Sequence, residues 1–439
     1  MPTSMALAQT PPPGSATQEI LRQQERERIL RQQQETKPDV RLERPATPEQ
    51  ERLSEDESPC FRINRITLVG DAAERFQWAL CAADPSGDPV SGRCLGAAGI
   101  NLTMKRIQNA IVARGYITTR VLAMPQDLRE GTLALTLIPG RIRSIRFTDD
   151  SSQRATKWNA MPAAPGDILN LRDIEQGLEN FKRLPTADAD IQVTPAEGPD
   201  AKPGESDLII AWKQRMPLRL NVTVDDSGSK RTGRYQGSVT VSYDNWWTLN
   251  DLFYISFNHD LGGGHSGKKG TRGHTAHYSV PYGYWLLGFT TSSYDYHQTV
   301  AGLNQSYIYS GKSENNEVRL SRLFYRDAVR KASAYLRGWQ RRSSNAIDDT
   351  EILVQRRRMA GWEAGLTYRQ FIKTAVLDAN LAYRRGTGML SSLQAPEEEF
   401  NEGTSRPSLV TADVQLMLPF SLASQRLRYT GTLRGQWNR

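Results

Sequence analysis

The chain has 439 residues, enough for two to four domains, and a formal net charge of +8. No run of 18 or more apolar residues occurs, which excludes a helical membrane span and leaves a soluble protein or a membrane β-barrel. Lys and Arg are spread along the whole chain rather than gathered on one face, so we predict no nucleic-acid partner.

Residues 1–16 are predicted to be a residual signal segment. Ala6-Leu7-Ala8 before Gln9 fits a small-x-small cleavage site. The basic and apolar regions that should precede such a site are missing. Either the match is due to chance or the signal peptide is truncated, and we favour truncation.

A polar helix is predicted over residues 17–37, which are rich in Gln, Glu and Arg. Its apolar residues occur only in the pairs Ile20-Leu21 and Ile29-Leu30. Such a helix has little to bury, so it is either solvated or enclosed in a wet cavity. Residues 38–58 are predicted to be a charged, proline-containing linker.

Three cysteines, Cys60, Cys81 and Cys94, lie close together, and the rest of the sequence contains none. This clustering indicates an oxidising compartment and one local disulfide. Neither CxxC spacing nor a nearby His supports a metal site. On spacing alone three pairings are open, and each leaves one thiol over.

A small α+β domain with the order β-α-α-β-β is predicted over residues 59–140. Gly115 provides the C-terminal stop of its second helix. The elements are the strand Phe61–Leu68, a short helix Ala72–Cys81, the helix Leu102–Arg114, and the strands Thr118–Val121 and Thr132–Leu137.

Residues 141–215 repeat this order. Paired small domains of this kind bind other polypeptides, and an exposed strand edge can accept an extended peptide as an extra strand. The predicted elements are the strand Ile142–Phe147, a short helix Arg154–Met161, the helix Leu171–Phe181, and the strands Ile191–Val193 and Leu208–Trp212.

Residues 216–439 alternate between apolar and polar positions in about eleven segments, each long enough for a tilted membrane strand. A soluble sandwich would also alternate, but three features favour a barrel. Short connections take turns with long ones, predicted at 261–272, 299–313, 343–351 and 386–407. Aromatic residues collect at strand ends as an interfacial girdle: Trp246, Trp247, Tyr282, Tyr284, Trp285, Tyr294 and Tyr296. The faces opposite the apolar ones carry Arg319, Arg337, Asp378, Asn380, Asp413 and Arg434, which suit a wet lumen.

No catalytic or cofactor motif emerges, so we predict neither an enzyme nor a cofactor. His274 and His277 lie in one predicted strand, where positions three apart point to opposite faces. The segment Gly262–Lys269 fits GxxxxGK but lies between strands, where it cannot open a helix. Asp225 and Asp226 diverge as strand neighbours, which favours a polar strand end over a carboxylate pair.

This layout resembles the two-partner secretion transporters of the outer membrane, which have a plug helix, two POTRA domains and a 16-stranded barrel. The motifs that carry the resemblance are Pro59-Cys60-Phe61-Arg62-Ile63, Gly115–Val121, Pro125-Gln126-Asp127-Leu128, Gly131-Thr132-Leu133, Pro139-Gly140-Arg141-Ile142, Leu169–Gln176, Asp225–Ser229, Leu249-Asn250-Asp251 and Tyr294-Asp295-Tyr296.

The resemblance implies a monomer in outer-membrane lipid, with its N-terminal domains in the periplasm. It would export a secreted partner protein (a haemolysin, adhesin or toxin) without nucleotide hydrolysis. It also implies that Cys60 pairs with Cys94, and that residues 17–37 plug the resting pore. The partner's N-terminal secretion domain would dock on a POTRA strand edge and groove, for which we nominate Tyr116, Thr118, Thr119, Arg120, Arg172 and Glu175.

The sequence departs from the family at its end. The last five strands and the motif of the sixth outer loop are absent, and eleven strands cannot close an antiparallel barrel. We therefore expect a fragment that does not transport. The alternatives are an assembly factor of the same superfamily, a soluble periplasmic polypeptide-binding module and, less favoured, a passive porin.

Overall fold

The computed structural model of the protein describes residues 14–35, 38–42, 51–422 and 424–438. Ala6-Leu7-Ala8 and most of the predicted signal segment lie outside these ranges, as do residues 43–50 of the predicted linker. None of the described helices combines the length and the apolar composition that crossing a membrane requires.

The first element is the helix α1, Gly14–Gln34. It begins and ends three residues before the predicted bounds, and residues 36 and 37 lie outside the described ranges. Residues 38–42 and 51–58 contain no helix or strand.

The first small unit contains five strands and two helices. Its elements are β1 Phe61–Ile63, β2 Arg65–Gly70, a 3-10 helix Ala73–Ala82, β3 Arg93–Leu95, α2 Ala97–Ala113, β4 Arg120–Ala123 and β5 Thr132–Ile138. Central β5 pairs with β2 in parallel and with β4 antiparallel, while β1 pairs only with β3.

The prediction of one strand over Phe61–Leu68 is therefore wrong. The chain changes sheet at Asn64, because the amides of Asn64 and Arg65 both donate to the carbonyl of Gly131, at 2.7 and 3.1 Å. These two bonds to one carbonyl bend the chain at Asn64. The alternation of side chains in the sequence does not indicate such a bend.

The second unit contains β6 Arg141–Phe147, α3 Leu171–Lys182, β7 Ala187–Pro195 and β8 Glu205–Gln214, with β8 in the centre of its sheet. On α3, Ile174, Leu178 and Phe181 are at most 2% exposed, as their spacing predicted. Burying side chains of this size stabilises the fold by about 1.5–3 kcal/mol each.

The short helix predicted over Arg154–Met161 is wrong, because this segment forms turns. Several side-chain bonds hold it in place of a helical ladder. Lys157 donates to the carbonyl of Ile145, and Asn159 donates to the carbonyl of Pro281 at 3.2 Å. Prolines at positions 162 and 165 then prevent continuation as a helix.

The rest of the chain forms one large antiparallel sheet in which neighbours in sequence are neighbours in space, a path of eleven strands from β9 to β20; short β16 pairs only with β15. Its members are β9 Leu218–Asp225, β10 Gln236–Asp244, β11 Leu252–Asp260, β12 Gly270–Tyr282, β13 Trp285–Ala301, β14 Ser306–Arg326, β15 Arg330–Ile347, β16 Thr350–Glu351, β17 Arg357–Ile372, β18 Ala375–Thr387, β19 Ser408–Leu422 and β20 Gln425–Asn438.

Short and long connections alternate as predicted, with one exception, although β15 extends to Ile347 and so occupies the first half of the predicted loop 343–351. The predicted long loop 299–313 is mostly strand, because β13 and β14 stay paired out to Ala301 opposite Ser306. Tyr307 and Tyr309 favour this extended conformation. Only the turn Gly302–Gln305 connects the two strands, closed by a 2.8 Å bond from the Gly302 amide to the Gln305 carbonyl.

The predicted aromatic girdle is correct only in part. Trp246, Trp247, Tyr282 and Trp285 are exposed on the sheet, whereas Tyr294 and Tyr296 are 3% and 6% exposed and face the opposite side. Their hydroxyl groups find polar partners there, which an outward position would not offer.

Candidate functional site

Helix α1 lies against the inner face of the large sheet, the face that carries the polar side chains. Glu19, Gln23 and Gln34 are at most 6% exposed, although all three are polar. Their spacing places them on one side of the helix. A polar helix face is therefore buried against a polar sheet face.

Side-chain hydrogen bonds hold this contact together. Gln23 accepts from Ser313 at 2.8 Å, and Glu27 accepts from Ser292 at 2.7 Å. Gln34 accepts from the Arg219 guanidinium at 2.8 Å and from the Ser242 hydroxyl at 2.7 Å. Further contacts are the bond of Arg26 to Tyr294, the bond of Thr232 to Glu19 and the ion pair of Arg31 with Glu317.

The apolar part of the helix contact is small. Leu30 packs against Leu184, Leu252 and Tyr254. Glu35, just beyond the helix, lies 3.6 Å from His277, which is on the inner face, whereas His274 is exposed on the outer face. The predicted opposite orientation of these two histidines is thus confirmed, and the described residues contain no cluster that could hold a metal ion.

Beyond α1 the inner face is lined by charged groups in contact with one another. Arg337 pairs with Glu317 at 3.2 Å and with Glu363 at 2.5 Å. Arg319 stacks on Tyr335 at 3.8 Å. Next to these groups is a cavity of about 660 Å³ between α3 and the sheet. The other predicted inner-face charges also face this side: Asp378 pairs with Arg369 at 2.6 Å, and Arg434 pairs with Asp413 at 3.3 Å.

Residues 38–42, which we call the strap, connect the helix region to the second unit. The amide of Val40 donates to Glu179 at 2.9 Å, and the amide of Leu42 donates to Glu175 at 3.0 Å. Asp39 pairs with Lys331 at 2.8 Å and with Arg369 at 2.6 Å.

Arg326, at the end of β14, joins the strap, α3 and the sheet. Its guanidinium pairs with Glu175 and with Glu179, each at 2.9 Å, and donates to the carbonyl of Val40 at 2.5 Å. The side chains of Arg326 and Glu175 are 2% and 0% exposed. Sequence reasoning missed this residue, because its partners lie about 150 positions away.

The second unit also contacts two other turns of the sheet. Arg183 donates to the carbonyls of Asn250 and Ser279, at 2.9 and 3.2 Å. The Tyr284 hydroxyl donates to Asp173. Burial raises the pKa of Asp173 above its usual range, and burial next to this carboxyl raises the pKa of Tyr284 as well.

In the first unit, Cys60 and Cys94 are joined by a disulfide with a Cα–Cα distance of 5.3 Å, and Cys81 is exposed and unbonded. Strand β4 is an edge of the sheet. The side chain of Gln108 on α2 contacts this edge, donating to the Thr119 carbonyl at 2.7 Å and accepting from the Val121 amide at 2.8 Å.

The six nominated docking residues do not form one surface. Thr119 is fully buried, with its hydroxyl accepting from the Gly140 amide at 3.2 Å. Tyr116 packs edge-on against Phe76 with ring centres 4.9 Å apart. Thr118 is partly buried, and Arg120 alone among the six is exposed.

Arg172 and Glu175 are buried at the junction with the sheet, where Arg172 donates to Glu175 at 2.5 Å. The nomination of these two as an open groove therefore needs correction. Contacts with Arg326 and with the strap cover the face of α3 on which they lie.

Three family profiles match consecutive parts of the chain. Residues 61–140 match "POTRA domain, ShlB-type", and residues 141–195 match "POTRA domain". Residues 204–439 match "Haemolysin secretion/activation protein ShlB/FhaC/HecB".

The chain is also similar to named transporters. It is 35% identical over 437 residues to outer membrane transporter CdiB-2 of Burkholderia pseudomallei, covering 97% of this chain and 73% of that protein. It is 30% identical to outer membrane transporter CdiB of Dickeya dadantii, covering 87% of this chain and 66% of that protein. The solved structure of CdiB from Acinetobacter baumannii superposes with a TM-score of 0.82 at 29% identity, covering 97% of this chain and 77% of that one.

Two consecutive POTRA units, a large antiparallel sheet with a polar inner face, and these matches agree on one assignment. The POTRA units lie in the periplasm, and the sheet lies in the outer membrane. The chain belongs to the ShlB/FhaC/HecB family of haemolysin secretion and activation proteins, the two-partner secretion transporters of the outer membrane.

Proposed function

We propose that this protein has the transport activity of its family, against the expectation that the chain does not transport: it carries a secreted partner polypeptide across the outer membrane, without catalysis and without a cofactor. The partner is an exoprotein of the haemolysin, adhesin or toxin type, recognised by its N-terminal secretion domain. Support comes from the relatives, which are named as outer membrane transporters and as haemolysin transporters.

The observation that carries the proposal is the polar contact between α1 and the inner face of the sheet. Such hydrogen bonds contribute only about 0.5–1.5 kcal/mol each between neutral side chains, and about 1.5–3 kcal/mol where one partner is charged, since water or another chain can replace them. A polar helix in a polar channel can therefore leave and rebind, as an apolar core helix cannot. We assign residues 17–37 as the plug, 38–58 as the linker, and 59–140, 141–215 and 216–439 as the two POTRA units and the barrel sheet.

The docking surface that we propose for the partner is the β4 edge of the first unit. Arg120 and Leu122 are exposed along it, and Met124 follows directly after the strand. An extended segment can add there by backbone hydrogen bonds, with its alternate side chains on the apolar positions. We further propose that the apolar outer face of the sheet contacts lipid and that the protein acts as a monomer.

Holding α1 in place tests the proposal. Gln23→Cys and Ser313→Cys introduce thiols on the two sides of a 2.8 Å contact, and Cys81→Ser removes the exposed native thiol. A short cross-linker that reacts with two thiols should then stop secretion of the partner exoprotein. Each single-cysteine variant, treated in the same way, is the control. Unimpaired secretion by a fully cross-linked protein would refute two proposals: that α1 is a plug, and that the partner passes along the inner face of the sheet.

A further inference from the structure

Two arginines lie directly opposite each other on the outer face of the sheet. Arg342 on β15 is in register with Arg358 on β17. Both side chains are exposed. Tyr335 and Arg337 of β15 face the inner side, so the even-numbered residues of that strand point outward. Like charges directly opposite on one sheet face are destabilising unless an anion lies between them.

Neither guanidinium forms an ion pair with a carboxylate within the part of the chain that the structure describes, but each has one carboxylate close enough to attract it. Glu314 is opposite Arg342 in register, but it pairs with Lys312 at 2.9 Å. Arg357, the neighbour of Arg358, points to the other side and pairs with Glu397. Glu351 attracts Arg358 but is already paired with Arg356, so positive charge remains in excess on this part of the sheet.

Below the arginines the outer face has one row of polar side chains, which includes Asn316 and Gln340, and is then apolar. Leu336 and Trp362 follow on the same two strands and are 55% and 39% exposed. Leu336 is about 20 Å along the strand from Arg342, at roughly 3.4 Å per residue. This places the arginines above a lipid-facing band, near the interface, where a lipid-facing cation is tolerated far better than at the bilayer midplane.

The loop between β18 and β19 folds back onto this part of the sheet. The Leu393 amide donates to the Arg358 carbonyl at 2.9 Å, and the Gln340 side chain donates to the Leu390 carbonyl at 3.3 Å. Leu390 adopts a φ of 56°, a conformation that a leucine rarely takes. The fold-back leaves Leu390, whose carbonyl is bonded to Gln340, and the preceding Met389 at 60% and 65% exposed.

We propose that this patch, consisting of Arg342, Arg358 and Met389, binds a phosphorylated lipid of the outer leaflet. The two guanidinium groups bind the phosphate, because each presents several N–H donors in one plane that can bond two phosphate oxygens at once. The acyl chains lie on Met389 and on the apolar residues below. The bound phosphate offsets the repulsion between the arginines and fixes the loop between β18 and β19 against the sheet.

Native mass spectrometry of the full chain in detergent tests this proposal, with bis-phosphorylated lipid A as the probe. The comparison lipid is the same molecule with both phosphates removed. The double variant Arg342→Gln/Arg358→Gln should bind the phosphorylated probe at least tenfold more weakly. Arg341→Gln is the matched control, because Arg341 is adjacent to Arg342 on the same strand and points to the inner face.

Equal binding of the two lipids would overturn the proposal, as would an equal loss in the Arg341→Gln control. Full displacement of the lipid by excess inorganic phosphate would assign the site to a small anion instead. Met389→Ser changes only an exposed loop residue, so it cannot unfold the sheet. It should weaken binding of both lipids alike, and unchanged binding would refute the acyl contact.

Discussion

The backbone amide of Val121 donates a 2.8 Å hydrogen bond to the side-chain oxygen of Gln108. The nitrogen of the same side chain donates to the carbonyl of Thr119 at 2.7 Å. These two backbone groups lie on one side of β4 and are those that a neighbouring strand would use. Gln108 therefore occupies the strand edge that we assign to the partner.

Gln108→Ala should make this edge more available. Without the competing amide, the affinity for the partner's secretion domain should rise about fivefold, since one net hydrogen bond contributes about 1 kcal/mol. Biolayer interferometry with the full chain measures this change. Gln126→Ala is the control, because Gln126 makes the same pair of bonds to Ala134 on β5. An equal change in both variants, or none in either, would rule out β4 as the docking edge.

Removing Arg326 should loosen the second POTRA unit from the sheet. Arg326→Ala leaves Glu175 and Glu179 without their common cation, and breaking such a buried ion pair costs about 3–5 kcal/mol. Hydrogen exchange of the full chain should show faster exchange in α3 and in the strap.

The control for this variant lies in the same turn. Arg330→Ala removes a pair with Asp327 in which the arginine is 46% exposed, and such surface pairs contribute about 0–1 kcal/mol. If Arg330→Ala loosened α3 as much as Arg326→Ala did, the junction would not depend on the buried pair.

The disulfide should account for a large part of the stability of the first unit. Cys60 and Cys94 are separated by 34 positions, and closing a loop of that length removes about 3–4 kcal/mol of entropy from the unfolded chain. Cys60→Ala/Cys94→Ala should therefore lower the melting temperature of the full chain, and a reductant should have the same effect on the native protein. Cys81→Ala should leave it unchanged, and an equal loss there would contradict this account.

Periodicity in the sequence predicted the elements well where burial alone decides the structure. The apolar side of α3 and the path of eleven strands follow directly from repeating side-chain patterns. The same patterns failed at Asn64 and over Arg154–Met161, where hydrogen bonds to distant residues override local preference.

The site was less predictable, because its contacts join distant parts of the chain. Arg326 meets Glu175 across about 150 residues, and no local pattern marks either of them as buried. One signal was available for α1. Glu19, Gln23, Glu27 and Gln34 recur at helical spacing, so a polar stripe could have been recognised as the buried face.

Asp88 should make the first POTRA unit sensitive to acid. Burial raises the pKa of this carboxyl, but bonds from the Leu53 amide and Arg106, and the charges of Arg106 and Arg93, outweigh burial and hold its pKa below the usual 3.8. The unfolded chain therefore takes up the proton first as pH falls. The stability from these contacts is complete above 3.8 and is lost as pH drops through the lower folded-state value.

Asp88→Asn should lower the stability at pH 7 by about 1.5–3 kcal/mol, the range for hydrogen bonds to charged groups, and flatten the acid dependence. Thermal melting of the full chain between neutral and acid pH measures both effects. Asp127→Asn is the control, since Asp127 is 69% exposed and its ion pair with Arg129 is weak, with the charged atoms 4.0 Å apart. If Asp88→Asn kept the native slope below 3.8, the acid sensitivity would have to come from another carboxyl.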